Sequence, residues 1–236
     1  INCYFNINFH FSRLHEKFKN VPFFTNMPCS TIFIEKIQLL KTDDILKNIE
    51  INTRNQNKNH LWYELRYARI TASKAYEVSR CKTTDGALVA TIMGGKVPET
   101  ASMKRGCILE DKVFKIVEKK IGKKINKCGL FISKHVPIIA GSPDGICSDD
   151  FIIEIKCPIK ENTYKNYIKD GKVSKKCYAQ VQMYVTGINK CFFCVAHCDF
   201  HKNNEVEIIV LVNSVLSFWK ANIYPLLERI THGYKI

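Results

Sequence analysis

The chain has 236 residues, 46% hydrophobic and 25% charged, a balance that excludes a disordered chain and suits one globular domain with a sizeable core. Lys and Arg number 36 against 22 Asp and Glu, a formal net charge of +14 with a pI of about 9.3, and such a field draws polyanions through counterion release. No apolar run reaches the ~18 residues of a spanning helix and no lysine-rich amphipathic helix stands out, so nucleic acid rather than a membrane is the expected partner.

Residues 1–52 mix aromatic, apolar and basic residues without a clean period and are read as a poorly defined N-terminal segment. Within them, Thr42-Asp43-Asp44 can cap a short helix through Asn48, with acids where the helix dipole favours them. The polar stretch NTRNQNKNH marks a loop and a soft boundary, so the main domain is expected over 53–236. From Leu61 to Ser79 aromatic and apolar residues lie on a basic background, and Thr71 or Ser73 can cap a following helix. A hydroxyl at a helix N-terminus with an arginine near it makes a phosphate pocket, although an ordinary capped helix with a surface arginine has the same sequence. Gly94-Gly95-Lys96 lacks the first glycine and the Ser/Thr of a nucleotide-binding loop and is read as a connection.

Cys107 to Ile121 has the pattern of an amphipathic helix, with Leu109, Val113, Ile116 and Val117 on one stripe and Gly122 to end it. Glu110 then stands early in the helix, either as a dipole-stabilising acid or as a site acid. Short β runs follow in GLFIS, VPIIAG and FIIEIK, which predict a meander flanked by helices, that is, an α/β fold with a central mixed sheet. Ser174 to Thr186 reads as a helix ended by Gly187, carrying Gln180 and Gln182. Cys191, Cys194, His197 and Cys198 resemble zinc ligands, but KCFFCVAHC has no turn knuckle and fits a strand with buried cysteines better. A strand over Val206 to Val212 and a last helix from Ser214 to about Ile230, kinked or split by Pro225, complete the chain. The eleven cysteines are an odd number without framework-like spacing, and neither a signal peptide nor an Asn-x-Ser/Thr site is visible; a reducing intracellular setting is expected. The chain opens on Ile1 rather than Met and reads as a fragment.

The chemistry concentrates in Gly141 to Pro158, GSPDGICSDDFIIEIKCP. Side chains alternate along a strand, so Glu154 and Lys156 share one face while Ile153 and Ile155 take the other, and Asp144 waits on the turn before them. Two acids and a lysine at one end of a hairpin can hold a divalent cation beside a phosphodiester and aim a water. Each half also has a plain structural account, since Ser-Pro-Asp-Gly is good type I turn chemistry and Glu154 and Lys156 suit a solvated edge face.

The combination of PD, nine intervening residues and EIK resembles the PD-(D/E)XK nuclease core, and GSPDG…EIKCP is similar to the YqaJ-type viral recombinase family that includes phage lambda exonuclease. Three further stretches match in order: Trp62, Arg66 and RITAS; RGCILED, with Glu110; and YAQVQMYVTG, with Gln180 and Gln182. The resemblance runs from about Thr53 to Phe200. It implies a restriction-endonuclease-like core in which Asp144, Glu154 and the carbonyl of Ile155 hold Mg²⁺, or Mn²⁺ in its place. Glu110 would supply a further contact, Lys156 would serve the attacking water, and Gln180, with Gln182 as the alternative, would position water or phosphate. By the same resemblance Arg66, Ser73 and Ser142 hold a 5′-phosphate, and the expected activity is 5′→3′ digestion of linear double-stranded DNA to leave a 3′ single strand for recombination. Partners implied in this way are double-stranded DNA ends, a single-strand-annealing protein and further copies of the chain in a trimer. Some relatives carry an acid where this chain has Lys134, which favours one metal over two. An endonuclease built on the same core and an inactive DNA-binding remnant are the rival readings.

Overall fold

The computed structural model describes residues 42–81, 86–92, 94, 98–148, 150–169, 172–173 and 179–212. The readings for residues 1–41, for Gly95-Lys96, for Ser174 to Tyr178 and for the last helix with Pro225 lie outside the described residues.

In chain order the elements are α1 (Asp43–Asn52), a single 3₁₀ turn (Gln56–Lys58), α2 (His60–Arg66), β1 (Ile70–Thr71), α3 (Ala72–Arg80), α4 (Ala87–Ile92) and α5 (Ala101–Ile121). There follow β2 (Phe131–Ile132), β3 (Ile139–Gly141), β4 (Gly145–Cys147), β5 (Phe151–Lys156), α6 (Glu161–Tyr167), β6 (Ile168–Lys169), β7 (Lys172–Val173), α7 (Ala179–Thr186), β8 (Lys190–Ala196), α8 (Phe200–Asn203) and β9 (Val206–Val212). The fold is α/β, with a four-stranded mixed sheet in the order β4-β5-β8-β9 at its centre. In that sheet β5 and β8 run parallel, joined through α6 and α7, while β4 and β9 pair antiparallel at the edges.

The predicted meander is corrected in one respect. GLFIS and VPIIAG supply β2 and β3 of a separate three-stranded sheet ordered β1-β3-β2, and FIIEIK is β5 of the central one. The chain changes sheets at Ser142-Pro143-Asp144, where a proline without an N–H cannot carry a ladder onward. Beyond that turn Gly145 to Cys147, of which the sequence reading assigned only Gly145, as the end of the Ser-Pro-Asp-Gly turn, forms β4 against β5.

The helix predicted from Cys107 begins at Ala101, capped by Thr100, whose Oγ1 accepts from Met103 N at 3.2 Å, and ends as expected on Gly122 in the left-handed conformation (φ 69°). Glu110 is therefore in the third turn rather than the first, where the macrodipole does not act on it. Leu109, Val113, Phe114 and Val117 of α5 pack on Ile153 and Ile155 of β5, with Cys194, Ala196, Phe200 and Val206 around them. Full burial of each large aliphatic contributes roughly 1.5–3 kcal/mol. The opposite face of β5 presents Ile152 to Ala179 and Met183 of α7, so Glu154 and Lys156, two and four residues on, point to the α7 side.

A third cluster joins Ile49 of α1 to Leu61 and Leu65 of α2 and to Leu130, Ile132 and Ala140. Helix α1 runs one turn beyond the predicted Asn48, and the boundary placed at residue 52 falls at the end of a helix that shares this core. Among the described residues no helix is long and apolar enough to cross a membrane.

Candidate active site

Strand β5 and the turn before β4 bring the predicted residues together. The Asp144 amide donates to Ile153 O at 3.1 Å, and the Asp144 carboxylate accepts from Ile155 N at 2.5 Å, which fixes the turn acid against the strand that carries Glu154. Glu154 is only 5% exposed. A buried carboxylate needs partners, and it has two: the Lys156 ammonium donates to Oε1 and Gln182 Nε2 donates to Oε2 at 2.7 Å. The same Gln182 amide reaches Ser142 O at 3.3 Å. It lies close because Gly141 packs against α7, where an added Cβ would come within 3.0 Å of Val185 Cγ2 and 3.3 Å of Gln182 Cγ.

The electrostatics are those of crowded acids. Burial pushes the Asp144 carboxyl well above the usual aspartate range, and the neighbouring Glu154 and Glu110 push in the same direction against Lys156. Glu110 is likewise raised, chiefly by burial, with Lys127 opposing; the Lys127 ammonium is 3.7 Å from Glu110 and 2.5 Å from Asp111. Acids crowded around Asp144 in this way form a site whose repulsion a divalent cation would relieve.

Among the described residues no three His, Cys, Asp or Glu side chains form a ready cage. Asp144 and Glu154 offer hard oxygens at one turn, the Ile155 peptide is already bound to Asp144, and Glu110 is near enough to perturb Asp144. One or two carboxylates, a carbonyl and retained waters suit Mg²⁺ or Mn²⁺, and no thiolate takes part. The residues fit that ion.

A second cluster lies next to the first. The Arg66 guanidinium stacks over the Trp62 ring at 3.9 Å, and Trp62 Nε1 donates to Ser142 Oγ at 2.8 Å. Burial lowers Arg66 to about 10, leaving it a cation at neutral pH that recovers lost hydration energy when an anion approaches. Because β1 and β3 run parallel with Thr71 opposite Ala140, the N-terminus of α3 and Ser142 emerge at one end of the small sheet. Ser73 is exposed there, its Oγ 3.1 Å from Thr71 Oγ1. Thr71 holds the N-cap position, although its side chain makes no capping bond.

Most of the predicted residues therefore converge, with two differences. The glutamine in contact with Glu154 is Gln182 rather than the expected Gln180; side chains two apart on a helix point roughly 200° away from each other, so both cannot face one carboxylate. Gln180 is half-buried, and its Oε1 has no protein hydrogen-bond partner among the described residues. Lys134 lies beyond β2 and donates to both carboxylate oxygens of Asp43 at 2.9 Å, tying down the first turn of α1. Cys191 and Cys194 are buried in β8 and, three apart on a strand, face opposite sides, as the alternation predicts. Sequence reasoning assigned no task to Trp62 or Lys127. Trp62 carried a signal in its i, i+4 spacing from Arg66, whereas Lys127 was one lysine in a basic chain.

The model of the YqaJ-like viral recombinase domain matches residues 61–189. Among solved structures, the alkaline exonuclease LHK-Exo of Laribacter hongkongensis is similar at 24% identity and a TM-score of 0.55, over 72% of this chain and 94% of that one. LHK-Exo in complex with dAMP gives 23% identity and a TM-score of 0.59, over 73% and 92%. A phage-related exonuclease from Haemophilus somnus 129PT gives 11% and 0.52, over 72% and 98%. No curated protein matches the chain. At these identities the likeness establishes the fold, a restriction-endonuclease-like core, and with the domain model spanning more than half of its length the chain belongs to the YqaJ-like viral recombinase family of phosphodiester-cleaving nucleases.

Proposed function

We propose that this nuclease is a Mg²⁺-dependent exonuclease that enters linear double-stranded DNA at a 5′-phosphorylated end and degrades that strand 5′→3′, leaving a 3′ single strand. The observation that carries the reading is the adjacency of the two clusters: Ser142 Oγ is bound by Trp62 beneath Arg66, while the Ser142 carbonyl is bound by Gln182, which holds Glu154. A terminal phosphate gripped by Arg66, Ser73 and Ser142 would sit a short step from the acids, so the enzyme would cut near an end rather than in mid-duplex.

Asp144, Glu154, the Ile155 carbonyl and Glu110 would hold the cation. When bound, Mg²⁺ polarises a phosphoryl oxygen and lowers the pKa of a water. Lys156 orients the attacking water and balances the charge that develops on the pentacoordinate phosphorus, a duty suited to an ammonium fixed on Glu154. Gln182 holds Glu154 in the orientation required. The formal charge of +14 draws the duplex in. A trimer around the duplex, a single-strand-annealing partner and an intracellular site of action belong to the same reading and rest on resemblance.

The test incubates purified protein and Mg²⁺ with end-labelled linear duplex, carrying 5′-phosphate or 5′-hydroxyl, and with a closed circle. Release of 5′ nucleotides from linear DNA, weaker without the phosphate and abolished in Lys156→Ala, supports the reading. Cutting of the circle would replace it with an endonuclease, and tight binding without cleavage with a DNA-binding remnant.

A further inference from the structure

The segment before the matched domain makes a polar seam with the turn that carries Asp144. Glu50, Thr53 and Gln56 recur every third residue, and each bonds backbone of the extended stretch Cys128 to Leu130 that leads into β2. Glu50 Oε1 accepts from Gly129 N at 3.0 Å, Thr53 Oγ1 accepts from Leu130 N at 2.8 Å, and Gln56 Nε2 donates to Cys128 O at 3.0 Å. The Gln56 amide also donates to Pro143 O at 2.9 Å, where Cys128 Sγ donates as well, at 3.2 Å.

Pro143 O belongs to the peptide unit that leads into Asp144. A peptide is planar, so holding its oxygen and its N–H fixes the direction in which the next residue leaves. Here the oxygen is held by Gln56 and Cys128 and the N–H by Ile153 O at 3.1 Å. Gln56 maintains this contact from a left-handed backbone (φ 40°), a conformation that costs a non-glycine residue energy and persists where surrounding structure enforces it.

We propose that Gln56 is a positioning residue of the hydrolytic site, setting the Asp144 carboxylate for its cation through the Pro143 carbonyl. The inference rests on the nuclease reading above, yet it places part of the site's support on a residue five positions ahead of the matched stretch at 61–189.

The full chain is compared with Gln56→Glu, which keeps the size and loses the donor, and with Gln56→Gly, which removes the donor while relieving the backbone. Bound Mn²⁺ is measured by electron paramagnetic resonance without DNA, beside thermal denaturation and a Mg²⁺ titration of cleavage. Loss of a residue supporting a metal ligand typically weakens metal binding 10–100-fold, so both variants should need about tenfold more Mn²⁺ for half-saturation. Gln56→Gly should do so while melting no lower than Gln56→Glu, because glycine relieves the left-handed backbone. Mn²⁺ affinity unchanged in both variants, or weakened only in step with a lowered melting temperature, overturns the proposal. A wild-type chain that binds Mn²⁺ but cuts no DNA overturns the nuclease reading instead, because Mn²⁺ affinity is read separately.

Discussion

Gln182 holds Glu154 at 2.7 Å from a neighbouring helix, and the same amide nitrogen reaches the carbonyl of Ser142 at 3.3 Å, so one side chain ties the buried acid of β5 to the turn that begins at Ser142. Gln182→Ala leaves a buried carboxylate with a donor missing, which costs roughly 1–3 kcal/mol of stability. Cleavage should fall about 10–100-fold as Glu154 loses its orientation. Chemical denaturation and single-turnover cleavage check the two effects, and Gln180→Ala, which removes no bond to Glu154, should perturb Mg²⁺ dependence less.

The crowded acids give the metal-free protein a pH dependence of defined sign. Asp144 is raised above its unfolded value, so the native state holds its proton more tightly, and stability declines as pH rises from the unfolded aspartate range through the folded one. Glu110 acts in the same direction. In EDTA, Asp144→Asn should therefore melt a few degrees above wild type at neutral pH, with the difference shrinking toward pH ~4, the ordinary aspartate range. Adding Mn²⁺ at neutral pH should raise the melting temperature of wild type and leave Asp144→Asn nearly unchanged. Calorimetric scans across pH with and without the ion measure both.

Trp62→Phe separates two contacts made by one ring. The phenyl group can still lie under Arg66, but the bond from Nε1 to Ser142 Oγ is lost. A hydrogen bond worth about 1 kcal/mol corresponds to roughly a fivefold loss, and the loss should fall on the preference for 5′-phosphate over 5′-hydroxyl ends rather than on total cleavage. Cleavage rates on paired substrates read that ratio directly.

Gly129 is crossed closely by α1. A Cβ there would overlap the Glu50 carbonyl oxygen and Thr53 Oγ1, backbone and a bonded hydroxyl that have little room to move. Gly129→Ala should destabilise by at least the ~1–3 kcal/mol of an overpacked site. Hydrogen exchange should quicken first in residues 43–52, with the central sheet less affected.

Much of this was legible in the sequence because it is local or periodic. Alternation placed Glu154 and Lys156 together, Gly122 ended α5, the α5 stripe identified the residues that cover Ile153 and Ile155, and alternation again kept Cys191 and Cys194 apart. The start of α5 was missed because Ala101 to Gly106 has no apolar stripe, only the Thr100 cap. Strand β4 was missed because three residues after a turn carry no period.

The sequence by itself determined the family, the acids and lysine of the strand and turn, and the basic field, since each is written in residue identity and short spacing. Only the tertiary structure decided which glutamine meets Glu154, that Trp62 joins Arg66 to Ser142, that Lys134 pairs with Asp43, and that Gln56 braces Pro143. Those contacts join residues between 28 and 91 positions apart, apart from the Trp62–Arg66 stack within one helix. Their partners are set by the crossing of helices over sheets, and no local pattern records that crossing.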